Sequence, residues 1–230
     1  YDDGCHVNYG ENKSGDCIYG DKASKKTVVL YGDSHAAQWF PSLEIIASRN
    51  GYRLISLTKS ACSSVEAPRE NQGAFNNSEC NEWRKNSIER IKQIEPYAVI
   101  VSSFQYFNPP SYVKDRNAWW RDGQQLLLAN LKGSAKNLIY ISDTPHPQSD
   151  IPNCLASRNS QKCDTSEKTP NLIIDGFSQI DPTPWLCAEF CPAIQDGYVV
   201  YRDASHISVD AAVGLTDKLE LALKDKGLFR

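Results

Sequence analysis

The chain has 230 residues, 40% of them apolar, and a formal charge of −3 at pH 7. That length suits one substantial domain, or a domain with a modest appendage, and the mild acidity gives no reason to expect a nucleic acid as partner. No apolar run approaches the ~20 residues that cross a bilayer. The sequence opens at Tyr1 without a signal peptide and contains no Met, so a mature product or an excised piece of something longer is expected.

Residues 1–26 are polar and rich in Gly, Asp and Lys. They read as a lead-in packed on the core, or as the end of a linker, stapled by Cys5 and Cys17. Residues 27–31 (TVVLY) read as a buried strand ended by Gly32, and a helix is expected over 36–49 from the spacing of Trp39, Phe40, Leu43, Ile46 and Ala47. Residues 53–58 (RLISLT) form a second expected strand, which empties into Lys59-Ser60-Ala61-Cys62. A helix over 78–95 carries Trp83, Ile88, Ile91 and Ile94 on one face and stops at Pro96. It is followed by a strand at 97–102 (YAVIVS), an aromatic-rich stretch at 104–120, and a helix over 115–131. A fourth strand at 137–142 (NLIYIS) runs into Asp143-Thr144-Pro145-His146-Pro147.

Residues 148–184 lapse into a polar run, expected to be a stapled excursion with short helical pieces that covers or shapes one side of the site. A last strand is expected at 198–201 (YVVY). Asp203-Ala204-Ser205-His206 follows, and then a helix from Ser208 or Asp210 through about Lys226. This alternation predicts an α/β fold over 27–230, a parallel sheet with helices on both faces in a three-layer α/β/α sandwich.

The eight cysteines fall into local clusters, and the economical pairing is Cys5–Cys17, Cys62–Cys80, Cys154–Cys163 and Cys187–Cys191, although other connectivities remain open. Zinc competes poorly, because no pair has a CxxC spacing and His6 and His146 show no matching pattern. A disulfide-bonded α/β domain belongs in an oxidising compartment, outside the cytoplasmic membrane.

Ser34 sits where the first buried strand turns into a helix, at the sheet edge where open α/β folds place their chemistry. Unpaired N–H groups at the helix start suit an oxyanion there. Two readings stand at this point: a nucleophilic serine, or an N-cap with Asp33 in the turn. A nucleophile needs a base and an orienting carboxylate, and His206, three residues after Asp203, lies at the same expected edge. The plainer reading makes Asp203 a helix cap and His206 a surface residue of the turn.

GDSH at 32–35, paired with the late DASH at 203–206, resembles the SGNH/GDSL hydrolase family. Within that family the likeness is to the extracytoplasmic SGNH domain fused to membrane acyltransferase-3 proteins. It is carried by VVLYGDSHAAQWFPSLE (28–44), Lys59-Ser60-Ala61-Cys62, Cys80-Asn81-Glu82-Trp83-Arg84, Asp143-Thr144-Pro145 and YRDASHIS (201–208). The resemblance implies a flavodoxin-like parallel sheet, Ser34 as nucleophile and as one oxyanion donor through its N–H, His206 as general base, and Asp203 as the orienting acid. A second oxyanion N–H is implied around Ser60–Ala61, where the usual glycine is missing. The third donor is normally an Asn, but Ser102-Ser103-Phe104-Gln105 stands there instead. The site then works with two donors or recruits Ser103 or Gln105, and a missing donor can cost ~10² in rate.

His35 either contacts substrate or packs behind the nucleophile, and His146 is either a satisfied loop residue or a ligand contact. The aromatics at 104–120 are core and cover, or a platform for sugar rings. The implied reaction is transfer of an acyl group, most often acetyl, to a hydroxyl of a cell-envelope glycan or glycolipid, without metal or cofactor. The donor would arrive through a membrane acyltransferase-3 domain of the same polypeptide, placing this chain in the periplasm or on the outer face of the membrane. The alternatives are a secreted carbohydrate O-acetylesterase of the same fold and a catalytically silent module that binds glycan.

Overall fold

The first elements come from the stretch expected to be a lead-in. In the computed structural model, which describes residues 3–67, 69–71, 73–147, 149–157, 160–166 and 172–229, His6–Val7 (β1) and Ile18–Gly20 (β2) enter the main sheet. The chain continues through Thr27–Gly32 (β3), Ser34–Ala37 (α1), Phe40–Arg49 (α2), Arg53–Lys59 (β4), Asn77–Ile94 (α3) and Ala98–Ser102 (β5). Arg116–Leu131 (α4), Asn137–Ile141 (β6), Ile151–Ser157 (α5), Ser178–Ile180 (β7) and Thr183–Leu186 (α6) follow. Ile194–Gln195 (β8), Tyr198–Val199 (β9), Val209–Gly214 (α7) and Thr216–Asp225 (α8) complete it.

The parallel strands lie in the order β4-β3-β5-β6-β7, a flavodoxin-like arrangement whose direction of progress reverses at β3. β1 and β2 both pair along the outer edge of β4, one parallel and one antiparallel. Period-two alternation sorts each central strand between two cores. Val28 and Leu30 of β3 join Trp39, Leu43 and Ile46 of the α2 side with Leu219 and Leu223 of α8. Val29 and Tyr31 face Trp83, Ile88 and Ile91 of α3 with Leu127 and Leu131 of α4. Burial on both faces is why these strands read as continuous apolar runs. Among the described residues no helix is long and apolar enough to cross a membrane.

The structure corrects several elements. The expected strand at 198–201 does not join the main sheet: β9 pairs antiparallel with β8 as a hairpin, and Val200 bonds locally to Ala193 and Ser208. The place beside β6 belongs to β7, inside the expected excursion, whose residues 148, 158–159 and 167–171 lie outside the described residues. The helix expected over 36–49 is two helices, α1 and α2. Pro41 at the start of α2 has no N–H to donate to the carbonyl four residues back, so the ladder restarts rather than continues. The last helix is likewise divided at Leu215 into α7 and α8.

The eight cysteines form four bridges, Cys5–Cys17, Cys62–Cys80, Cys154–Cys163 and Cys187–Cys191.

Candidate active site

Gly32 ends β3 directly against β5, its register partner being Ser102. Asp33 then caps α1. Its buried carboxylate accepts the His35 N–H at 2.8 Å and the Phe104 N–H at 3.0 and 3.2 Å. Burial pushes the Asp33 carboxyl up, against the opposing pull of His35 and these N–H donors. Because Asp33 is the cap, Ser34 is the first helical residue and its hydroxyl is released from capping.

The Ser34 Oγ lies 2.7 Å from His206 Nε2, and His206 Nδ1 lies 2.8 Å from Asp203 Oδ2. The other Asp203 oxygen accepts the N–H groups of Ser205 and His206, each at 2.8 Å, so one carboxylate both shapes the loop and orients the ring. Burial would raise the Asp203 carboxyl, but the His206 hydrogen bond and these backbone donors outweigh it and hold the group well below the usual range. The network assigns the Nδ1–H tautomer, with Nε2 as acceptor toward Ser34. A Tyr201–Ile207 bridge closes the loop, and Gln38 Oε1 accepts the Ile207 N–H at 3.0 Å, tying it to the chain just past α1.

Two backbone donors at this edge, the N–H groups of Ser34 and Ala61, make no hydrogen bond among the described residues. Ala61 holds φ +53°, a backbone that favours glycine. The other expected oxyanion groups make hydrogen bonds within the chain. The Ser60 N–H is given to the Val7 carbonyl at 2.8 Å. The Ser103 hydroxyl accepts the Ser64 N–H at 2.7 Å, and the Gln105 N–H goes to Asp143 at 2.8 Å. Of residues 102–105, Phe104 lines the cavity beside Ser34.

That cavity is about 450 Å³ and holds Ser34, His35 and His206 in its lining. The excursion expected to cover it contributes no described residue. Its near wall is the lead-in, through His6, Asn8 and Tyr9, with Phe107 and Arg202 also lining it. His6 bonds Thr58 through Nδ1 and Ser60 through Nε2, both at 3.0 Å, and burial pushes its imidazole down to about 4. No local pattern marks these wall residues; only the pairing of β1 with β4 brings them here.

His35 and His146 are brought together behind the site by Asp143. Its Oδ1 takes His35 Nδ1 at 2.6 Å and the Thr144 N–H at 2.9 Å, and its Oδ2 takes His146 Nε2 at 3.0 Å and the Gln105 N–H. Burial would raise this carboxyl, but the two histidines hold it well below the usual range. Burial would equally lower His35, and Asp143 reverses that and raises it. The ligand-type atoms of His35, Asp143 and His146 lie within 4.8 Å of one another, but four donors already fill the four lone-pair positions of the carboxylate. The cluster is built as a network of hydrogen bonds converging on one buried carboxylate. His35 lines the cavity, whereas His146 does not and packs against Tyr106 at 4.4 Å between ring centroids.

No curated protein matches the chain. Among solved structures it is similar to the periplasmic domain of a lipopolysaccharide acetyltransferase from Salmonella ser. Paratyphi A. That match has 17% identity and a TM-score of 0.69, covering 94% of this chain and 92% of that one. A GDSL-like lipase from Bacteroides thetaiotaomicron VPI-5482 matches at 12% identity and a TM-score of 0.45, with 87% of each chain covered. The family model for the SGNH domain fused to AT3 domains matches residues 4–220, and the chain belongs to that family.

Proposed function

We propose that this chain is the extracytoplasmic domain of a membrane O-acyltransferase, which passes an acyl group, acetyl by preference, to a hydroxyl of a cell-envelope glycan or glycolipid. The observation that carries the reading is the unbroken hydrogen-bond chain Ser34–His206–Asp203 beside two unpaired N–H groups. The family's pairing with AT3 domains supports a membrane partner that delivers the donor. The four disulfides and the likeness to a periplasmic domain support the compartment.

In this mechanism Ser34 Oγ attacks the donor's acyl carbon as His206 Nε2 takes the hydroxyl proton. The carbonyl oxygen becomes an oxyanion held by the Ser34 and Ala61 N–H groups. Its collapse breaks the bond to the leaving group, which takes the proton from His206 and leaves an ester on Ser34. His206 then takes the proton of the acceptor hydroxyl, whose oxygen attacks that ester, and Ser34 leaves with the proton returned. Asp203 stabilises the imidazolium formed in each half-reaction.

Ser34→Ala in the intact membrane fusion tests the reading. Transfer is expected to vanish with the fold unchanged, and an active variant overturns it. Rapid, acceptor-independent hydrolysis of acetylated glycans by the domain would assign it instead to a secreted esterase.

A further inference from the structure

The motif around the nucleophile offers two neighbouring side chains, and each is taken by its own D-x-x-H segment. Ser34 bonds His206 of Asp203–His206, while His35 bonds Asp143 of Asp143–His146. The second pairing is not remote from the first. The His35 ring lies 4.4 Å from the His206 ring, tilted by 41°, and lines the same cavity. On its other sides His35 meets Phe104 at 4.8 Å and His146 at 5.5 Å. It is buried, and its Nε2 makes no hydrogen bond among the described residues.

We propose that Asp143 and His35 are a positioning pair for the catalytic base: the carboxylate locks the His35 ring against His206, fixing where His206 sits before substrate arrives. The proposal rests on the acyl-enzyme reading given above. A ring in contact restricts the tilt that would carry Nε2 away from Ser34, and misplacing a reacting group by about 1 Å can cost ~10² in rate.

The other charged or titratable groups around His35 are Asp33 on its own turn, His146 behind Asp143, and Asp203 with Arg202 on the loop of His206. His6 faces it from the lead-in wall. Asp33 and Asp203 both favour a proton on His35 and are fixed by backbone donors. The pair therefore does not depend on a mobile counter-ion.

The test uses the 230-residue chain, whose four histidines can be followed one by one in a nuclear magnetic resonance titration of labelled imidazoles. His35 is expected to titrate above the ordinary histidine value, with its Nδ1 proton held by Asp143, and a His35 that titrates below that value overturns the proposal. His35→Asn retains a donor at the Nδ1 position for Asp143 but removes the ring and its charge. Its labelling at Ser34 by a fluorophosphonate is expected to slow at least ~10-fold while the fold, followed by circular dichroism, is retained. Labelling at the wild-type rate would show that His35 merely satisfies Asp143. Failure of the wild-type chain to label at all would sink the acyl-enzyme reading, while the wild-type titration would still decide whether the pair exists.

Discussion

Gly32→Ala should disable the site through the sheet rather than through its chemistry. A Cβ built at Gly32 lies 1.9 Å from the Ser102 carbonyl oxygen and 2.9 Å from the Ala36 Cβ, at a φ of +150°. The obstacle is backbone, so no rotamer change relieves it, and β3 and β5 must part by roughly 1 Å where they are in register. Overpacking ordinarily costs ~1–3 kcal/mol, and a backbone clash belongs at the upper end or beyond. At ~2–4 °C per kcal/mol for a chain of this size, the melting temperature should fall by roughly 6–12 °C. The same displacement pulls Asp33 from the Phe104 N–H and Ser34 from His206, so fluorophosphonate labelling should slow ~10²-fold in the fraction that folds. Gly133→Ala is the control: its φ is +80° and a Cβ there meets nothing within 4 Å. It carries backbone strain of about 1 kcal/mol alone and should label normally. A Gly32→Ala protein that melts no lower than Gly133→Ala and labels within twofold of wild type would refute the reasoning.

Asp203→Asn should lower the rate of Ser34 labelling by ~10³–10⁴ without a comparable change in thermal stability, since the amide no longer enforces the tautomer of His206; a loss below tenfold would remove Asp203 from the mechanism. Asp143 is buried with its carboxyl held below the unfolded value, so its stabilisation is present above the ordinary Asp range and lost as pH falls through the folded value. Asp143→Asn should accordingly flatten the acid end of the stability curve, measured by denaturant unfolding. His6 has the opposite chemistry and the same slope. Its folded imidazole, pushed to about 4 by burial, refuses a proton that the unfolded chain accepts near 6.5. Its contribution is complete above ~6.5 and declines as pH falls toward 4, and His6→Gln should remove that part of the decline in a melting series across this window. Ala61→Gly should change the melting temperature by only a few degrees, because relief of the left-handed backbone is offset by a more flexible unfolded chain.

The members of the Ser34–His206–Asp203 hydrogen-bond chain were legible because each is encoded locally. A strand, a glycine and a serine in succession place Ser34, and the three-residue spacing places Asp203 beside His206. The disulfide pairing was local in the same way. What escaped was non-local. Ser178–Ile180 is too short and polar to read as a strand, yet it pairs with β6, while the more strand-like 198–201 folds back on its own neighbour. The cavity wall from His6, Asn8 and Tyr9 depends on β1 reaching β4 across some fifty residues. Asp143 did carry a signal: it heads a D-x-x-H segment at a strand's end, the same pattern that drew attention to Asp203. Its partner His35 lies in another motif 108 residues away, and spacing within either segment cannot reveal that pair.

The missing glycine at Ala61 shows how such distant contacts can replace a local rule. A left-handed backbone costs an L-residue roughly 1–2 kcal/mol, and it persists when its surroundings over-determine it. Three anchors do so here. The Ser60 N–H just before Ala61 is held by the Val7 carbonyl, and the Ala61 carbonyl accepts from Arg69 at 2.7 Å. The next residue, Cys62, is bridged to Cys80. Arg69 is itself fixed by the faces of Phe75 and Phe107, at 3.9 and 3.6 Å. A hydrogen bond contributes about 1 kcal/mol, one from a charged donor about 2, and closing an 18-residue loop about 3. Together these exceed the backbone cost, so the left-handed conformation of Ala61 is held by its neighbours on both sides. A glycine would make that conformation inexpensive; this chain reaches it through lead-in, disulfide and sandwiched arginine.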